Sequence, residues 1–262
     1  MNFELTNIPA RPIKPRQSGI TMVMDKGLSL REAENMVDAC GQYIDYVKLG
    51  FGTSMVTNRV EEKIRFYQSN NIRCYLGGTL FEAFVIRNQF EQYQQLLDRF
   101  GVLAVEVSDG SMAMDHAEKC NYINILSNNR IVLSEVGSKV AGVEISNEAW
   151  VSMMNLELKS GSTKVIAEAR ESGNIGIYHT DGSADTELVS LIDKDVHGDN
   201  VIWEAPLKNQ QVWFIKHFGS NVNLGNIAVN EVVSLETLRL GLRGDTMLSF
   251  LPEELTKGRN LL

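Results

Sequence analysis

A single (β/α)8 barrel is the fold class this sequence predicts, and three observations lead there. The chain has 262 residues, a length that matches the ~250 residues of one α/β barrel. A short β-branched run, a polar or glycine break and a longer helical stretch follow one another eight times along it. The first strand candidate ends Met24-Asp25-Lys26-Gly27-Leu28, not in the GxGxxG turn that usually opens a doubly wound sheet. No Pro/Ser-rich linker or low-complexity tract divides the chain, so residues 1–262 read as one barrel domain with a short N-terminal arm.

Strands are expected at 20–25, 43–49, 72–76, 102–108, 130–135, 164–170, 201–204 and 221–224. Helices are expected between and after them, at 30–40, 60–70, 90–100, 115–127, 146–159, 185–193, 209–218 and 234–242. Their starts are punctuated: Ser29 precedes the first helix with Glu32 three positions on, and Ser146 precedes Glu148. In the third, Phe90, Tyr93, Leu97 and Phe100 form a one-face stripe.

Composition narrows the function classes. Hydrophobic residues make up 44% and charged residues 22%, and 25 basic against 33 acidic side chains give a net charge of −8. That balance argues against nucleic acid as a partner, since such domains usually present a basic face. No apolar run approaches the ~18 residues of a spanning helix, and MNFELTNIPARPIKPR lacks a signal-peptide core. Cys40, Cys74 and Cys120 are odd in number and form no CxxC, as reduced thiols would. The expectation is a cytoplasmic protein with small-molecule partners, without nucleic-acid or membrane partners, and assembled as a homo-oligomer, as barrels often are.

Chemistry in such a barrel sits at the C-terminal strand ends. Those ends carry Asp25, Lys48, Glu106 with Ser108, Glu135 followed by Lys139, Glu168 with Arg170, Glu204, and Asn223 with Asn226. Side chains alternate along a strand, so Ile166, Glu168 and Arg170 share a face, as do Ala104, Glu106 and Ser108. Buried carboxylates are costly unless paired or bound to metal. A cluster of Glu106, Glu135, Glu168 and Glu204 therefore calls for Lys48, Lys139, Arg170 and a divalent cation. Oxygen-only ligation favours Mg²⁺, and Glu106, Glu168 and Glu204 are the metal candidates.

Glycine breaks on the same face suggest an anion. They are Gly50-Phe51-Gly52-Thr53-Ser54, Gly77-Gly78-Thr79 and Gly225-Asn226, the last where many barrels bind phosphate through loop amides. Gly52, Thr53, Gly78, Thr79, Gly225 and Asn226 are accordingly the candidate substrate-binding residues. His116, His179, His197 and His217 form no ligand motif, and no GxSxG elbow is present. Arg11, Lys14 and Arg16 form a basic arm that position alone puts at the opposite end of the barrel, as a solvated or packing segment. The polar stretch 173–182 reads either as a lid or as an ordered surface loop.

At these residues the sequence resembles the phosphosulfolactate synthase family, and its bacterial branch more than its methanogen members. The matching phrases are RPIKPR (11–16), YIDYVKLGFGTS (43–54), GGTLFE (77–82), LSEVGSK (133–139), VIAEARESG (165–173), WEAP (203–206), NVNLGNI (221–227) and LETLRLGLRGDT (235–246). The resemblance implies a (β/α)8 barrel lyase of coenzyme M biosynthesis that adds sulfite to phosphoenolpyruvate with Mg²⁺. It implies Lys139 as proton donor to C2, with Lys48 as runner-up or clamp and Arg170 orienting phosphate or sulfite oxygens. The alternatives are another phosphoenolpyruvate- or enediolate-using barrel enzyme and a non-enzymatic, heat-stress-associated barrel protein.

Overall fold

The computed structural model describes residues 2–138, 145–170 and 172–259. Eight strands alternate with helices: β1 Thr21–Asp25, β2 Tyr46–Leu49, β3 Arg73–Leu76, β4 Ala104–Val107, β5 Ile131–Val136, β6 Lys164–Ala167, β7 Val201–Glu204 and β8 Leu224–Ala228. Every ladder is parallel, in the order β3-β2-β1-β8-β7-β6-β5-β4. Strands β3 and β4 adjoin without a ladder, so the barrel is nearly closed, with one seam.

The outer layer consists of α1 Leu30–Cys40, α2 Val60–Ser69, α3 Gly78–Val85, α4 Phe90–Arg99, α5 His116–Ser127, α6 Asn147–Lys159, α7 Thr186–Ile192, α8 Lys208–Phe218 and α9 Val232–Arg239, with a single turn, α10 Glu253–Thr256, near the end. The caps read from the sequence are formed. Ser29 and Glu32 make a reciprocal capping box, and Ser146 Oγ accepts from Ala149 N–H; each such cap contributes about 1 kcal/mol. Phe90, Tyr93 and Leu97 face inward as expected, and Phe90 and Tyr93 meet Phe81 of α3 and Tyr122 of α5 in one aromatic cluster.

Helix α3 is the element missing from the expectation. Its sequence GGTLFEAFV opens with two glycines that read as a loop, yet Gly77 is its cap and Gly78 its first residue. Several strand ends also move, two of them at the site. Strand β6 stops at Ala167, and β8 runs Leu224–Ala228 instead of 221–224. Asn223 explains the second shift: its Oδ1 accepts from Ile20 N–H at 3.1 Å and its Nδ2 donates to the Val201 carbonyl at 3.1 Å. It therefore pins the N-terminal start of the strand, the end opposite the one expected for it.

Val23, Val47, Ile166, Ile202 and Ile227 are fully buried, each stabilising the fold by roughly 1.5–3 kcal/mol. Trp203 stacks on Phe214 and Phe218, holding α8 to β7. The basic arm packs across the N-terminal mouth. Arg16 pairs with Asp45 at 3.2 Å, and Arg11 bonds Glu236 at 2.9 Å and the Asn221 side chain. Arg239, fully buried, donates to the carbonyls of Ser220 and Val222 at 2.7 Å and Ile20 at 3.1 Å. Among the described residues no helix is long and apolar enough to cross a membrane.

Candidate active site

At the C-terminal mouth lies a cavity of about 420 Å³. Its floor is built by β2, whose alternation puts Tyr46 and Lys48 on one face. The Lys48 ammonium sits 2.9 Å from Glu106, 3.2 Å from Glu135 and 3.5 Å from Glu204. Burial alone would lower its pKa, but those carboxylates more than offset this and raise it well above the usual lysine value. Lys48 is a fixed cation.

Glu135, Glu168 and Glu204 bring oxygens within 4.8 Å of one another, all three residues buried. They project from the ends of β5, β6 and β7, three consecutive strands of the sheet. Burial pushes the Glu204 carboxyl up to about 8; Lys48 opposes the shift, and the neighbouring Glu135 and Glu106 charges add to it. One ammonium thus offsets only part of the charge of the surrounding carboxylates. Three converging carboxylate oxygens fit a hard divalent cation, for which oxygen donors are the preferred ligands. Asn226 beside them donates to the Ala169 carbonyl at 3.0 Å, while its buried Oδ1 has no partner among the described residues.

The wall opposite the carboxylates is the start of α3. Gly77, Gly78 and Thr79 line it, and first-turn amides have no partner within their helix. Gly78 N–H donates to Glu106 at 2.6 Å. A Cβ at Gly78 would run into Ser108 Oγ and Glu106 Oε1, so only glycine fits. Phe51 on the rim is half exposed and left-handed, with φ 55°, a conformation that costs of order 1–3 kcal/mol in a bulky residue and clusters at functional sites.

Glu168 lies just past the end of β6 and is clamped from two sides. A Cβ at Gly137 would meet Glu168 Cβ at 2.5 Å, and one at Gly176 would strike the Glu168 carbonyl. The stretch 173–182 is an ordered loop: Gln210 donates to the Gly173 and Gly182 carbonyls, and Tyr178 to the Glu204 carbonyl at 2.8 Å. Glu135 is steadied from behind by Lys119, which donates to its carbonyl at 2.6 Å and pairs with Asp109 and Glu157 at 2.8 Å. Burial alone would lower that ammonium's pKa, but Glu157 and Asp109 carry it to about 12.

Of the residues expected from the sequence, Lys48, Gly78, Thr79, Glu168, Arg170, Glu204 and Asn226 line this cavity. Glu106 stands behind Lys48, bonded to it and to Gly78. Arg170 is exposed on the rim and lies outside the strand that was to carry it inward. Gly52 and Thr53 sit in the turn after β2 and do not line the cavity. Lys139 falls outside the described residues. Asp25 ends β1, but its side chain is bonded to the helix layer, to Lys63 at 2.8 Å and Tyr67 at 3.0 Å, both of α2. Phe51, Met24, Ser111 and Ser172 line the cavity unanticipated; the left-handed turn at Phe51 had no signal beyond the flanking glycines.

Gly225 is inside β8, where a Cβ would meet Met22 Cε at 2.6 Å and Ile202 Cγ2 at 3.0 Å. It packs against these neighbours and does not line the cavity. Gly225→Val is expected to cost about 1–3 kcal/mol by overpacking, read as a lower melting temperature. An unchanged melting temperature with weakened phosphoenolpyruvate binding would return Gly225 to the ligand site.

Comparison with known proteins decides the family. Residues 9–245 match the family model of (2R)-phospho-3-sulfolactate synthase (ComA). The chain belongs to the phosphosulfolactate synthase family. It is 44% identical to the phosphosulfolactate synthase of Methanocaldococcus jannaschii, covering 88% of this chain and 94% of that one. Against the Bacillus subtilis phosphosulfolactate synthase it is 39% identical, over 94% of this chain and 99% of the other. Among solved structures, the 3-hexulose-6-phosphate synthase of Salmonella typhimurium superposes with a TM-score of 0.57 at 11% identity, over 86% of this chain and all of that one, which shows the barrel alone. As a phosphosulfolactate synthase family member the chain is an enzyme, and the scaffold alternative falls.

Proposed function

We propose that the chain adds sulfite to C3 of phosphoenolpyruvate, giving (2R)-phospho-3-sulfolactate, in the cavity at the C-terminal mouth. The observation that carries this reading is the convergence of Glu135, Glu168 and Glu204 beside Lys48. Sulfite's lone pair forms the C3–S bond, the C2=C3 π pair moves toward the carboxylate as an enediolate, and a proton delivered to C2 completes the addition. No atom changes hands beyond these, and no external oxidant is needed.

Glu135, Glu168 and Glu204 are the residues that would hold Mg²⁺, with Glu135 in the place expected for Glu106. When bound, Mg²⁺ would supply Lewis-acid charge to stabilise the negative charge of the enediolate. The wall at Gly77, Gly78 and Thr79 faces the phosphate with the positive end of α3, although the Gly77 and Gly78 amides themselves are taken by the Leu49 carbonyl and Glu106. Arg170 offers its planar fork to phosphate or sulfite oxygens from the rim. Asn226 places an acceptor within the pocket for a ligand or a coordinated water. Lys139, two residues beyond Gly137, gives the proton to C2.

Incubation with phosphoenolpyruvate, sulfite and Mg²⁺, with mass detection of a sulfonated product, tests the reaction. Consumption of phosphoenolpyruvate without such a product would overturn it. Chelation is expected to abolish turnover and added Mg²⁺ to restore it, with Glu168→Gln needing more Mg²⁺; full activity after exhaustive chelation refutes the metal assignment. Because the metal-free Glu204 carboxyl titrates at about 8, Mg²⁺ must displace a proton below that pH. Apparent Mg²⁺ affinity should rise with pH and level off above about 8. Calorimetry in buffers of different ionisation heat counts the proton released; a heat independent of buffer at pH 7 contradicts the assignment of Glu204.

A further inference from the structure

The opposite mouth of the barrel holds a cavity of similar size, about 420 Å³. It lies at the seam, where Ile72 and Arg73 lead into β3 and Leu103 and Ala104 lead into β4 without a ladder between them. Lys14, Arg16, Arg73 and Asp45 also line it. Arg16 and Asp45 satisfy one another: Arg16 Nη1 reaches both Asp45 oxygens at 3.2 and 3.3 Å, and its other nitrogens donate to the Pro12 and Gln42 carbonyls.

Lys14 and Arg73 are different. Lys14 donates to the Gly41 carbonyl at 3.2 Å, and Arg73 donates to Tyr46 Oη at 3.0 Å while stacking over that ring. Among the described residues neither lies at ion-pair distance from a carboxylate. Burial lowers the Lys14 pKa; Asp45 opposes that, and the Arg16 and Arg73 charges lower it further. Two cations with donor hydrogens to spare thus share a half-buried cleft on a chain of net charge −8. Their charge is not explained by the fold's own anions.

We propose that this cleft binds a small dianion of the phosphate type, inorganic phosphate or a phosphomonoester, between Lys14 and Arg73. Two positive charges match one phosphate dianion, and a guanidinium fork with an ammonium is a recurrent pairing for its oxygens. Ile72, Leu103 and Ala104 give one wall an apolar surface that an ester's organic part can cover. The site is separate from the catalytic cavity, since the two lie at opposite strand ends, and it does not rest on the reaction proposed above. It also gives the RPIKPR phrase a use beyond packing.

Equilibrium dialysis of the full chain against inorganic phosphate, and separately against phenyl phosphate, tests the site. Lys14→Gln and Arg73→Gln are each expected to weaken phosphate binding about tenfold or more at one site, the range for losing a charge-assisted contact. The double variant should lose that site altogether while keeping its far-ultraviolet dichroism and its turnover in phosphate-free buffer. Arg73→Lys, which keeps the charge, should retain most of the affinity and so separates lost charge from lost folding. Tighter binding of phenyl phosphate than of phosphate identifies an organic phosphomonoester as the occupant; equal binding identifies free phosphate. The inference is overturned if the double variant binds phosphate with the parent's stoichiometry and affinity. It is equally overturned if phosphoenolpyruvate in excess and the double variant remove the same single site.

Discussion

Lys48→Met is expected to destabilise the protein by about 3–5 kcal/mol at neutral pH, the usual result of removing one partner from a buried ionic cluster. Glu106, Glu135 and Glu204 would remain in the barrel without the ammonium that lies 2.9 to 3.5 Å from them. Their response is to take up protons. A carboxyl whose pKa is raised by folding holds its proton more tightly in the native state than in the unfolded one. Its contribution to stability therefore falls as pH rises from the unfolded carboxylate range to the folded value. The gap in melting temperature between parent and Lys48→Met should thus be small near pH 5 and widen toward pH 8. Turnover should fall with it, because the carboxylates proposed to hold Mg²⁺ would lose their fixed geometry. Lys48→Arg keeps the charge and should recover part of the stability. A melting temperature equal to the parent's at every pH would show that Lys48 does not compensate the cluster.

Lys139→Ala is expected to lower turnover by about 10²–10⁴-fold, the range for losing a general acid, with little effect on substrate binding. The electrostatics of Lys48 sharpen the contest between the two lysines. An ammonium whose pKa is held well above the usual value by three carboxylates is a poor proton donor at neutral pH. Gly137, two positions before Lys139 in the sequence, packs against Glu168 and Trp150. Single-turnover kinetics at saturating phosphoenolpyruvate and sulfite decide the matter. Normal turnover in Lys139→Ala beside a dead but folded Lys48→Met would exchange the roles.

Much of this was legible in the sequence because barrel strands and helices have different periods and the caps are explicit. Eight strands and eight of the helices fall where β-branched runs and apolar stripes put them, to within a few residues. The carboxylates at the strand ends were legible for the same reason: polar residues closing apolar runs are conspicuous. What escaped was three-dimensional. Glu106 and Glu135 read alike along the chain, and only their positions around Lys48 separate an ion-pair partner from a member of the trio. Gly78 and Gly225 both read as breaks, but one begins a helix against Ser108 and the other makes room for Met22 inside a strand. Asn223 and Asn226 stand three residues apart and serve opposite mouths of the barrel. The arm and the phrase LETLRLGLRGDT resemble the family strongly, yet Arg11, Glu236 and Arg239 in them serve the fold, far from the carboxylates.

The pairing of β1 with β8, locked by Arg11 and Arg239, sets a timetable for synthesis. Strand β1 leaves the ribosome before every other strand of the barrel, and its partner at Leu224–Ala228 leaves after them all. Until then the nascent sheet ends in raw edges at β1 and at the newest strand, the kind of edge that recruits other chains. Closure is a late, non-local event of the sort that slows folding. Arg16 finds Asp45 early, but Arg11, made ahead of the barrel strands, must wait for Ser220, Asn221 and Glu236 before it can bind. A cell producing this enzyme at high rate would therefore hold its aggregation-prone population in unfinished chains, and slower translation of the last third would lengthen that exposure.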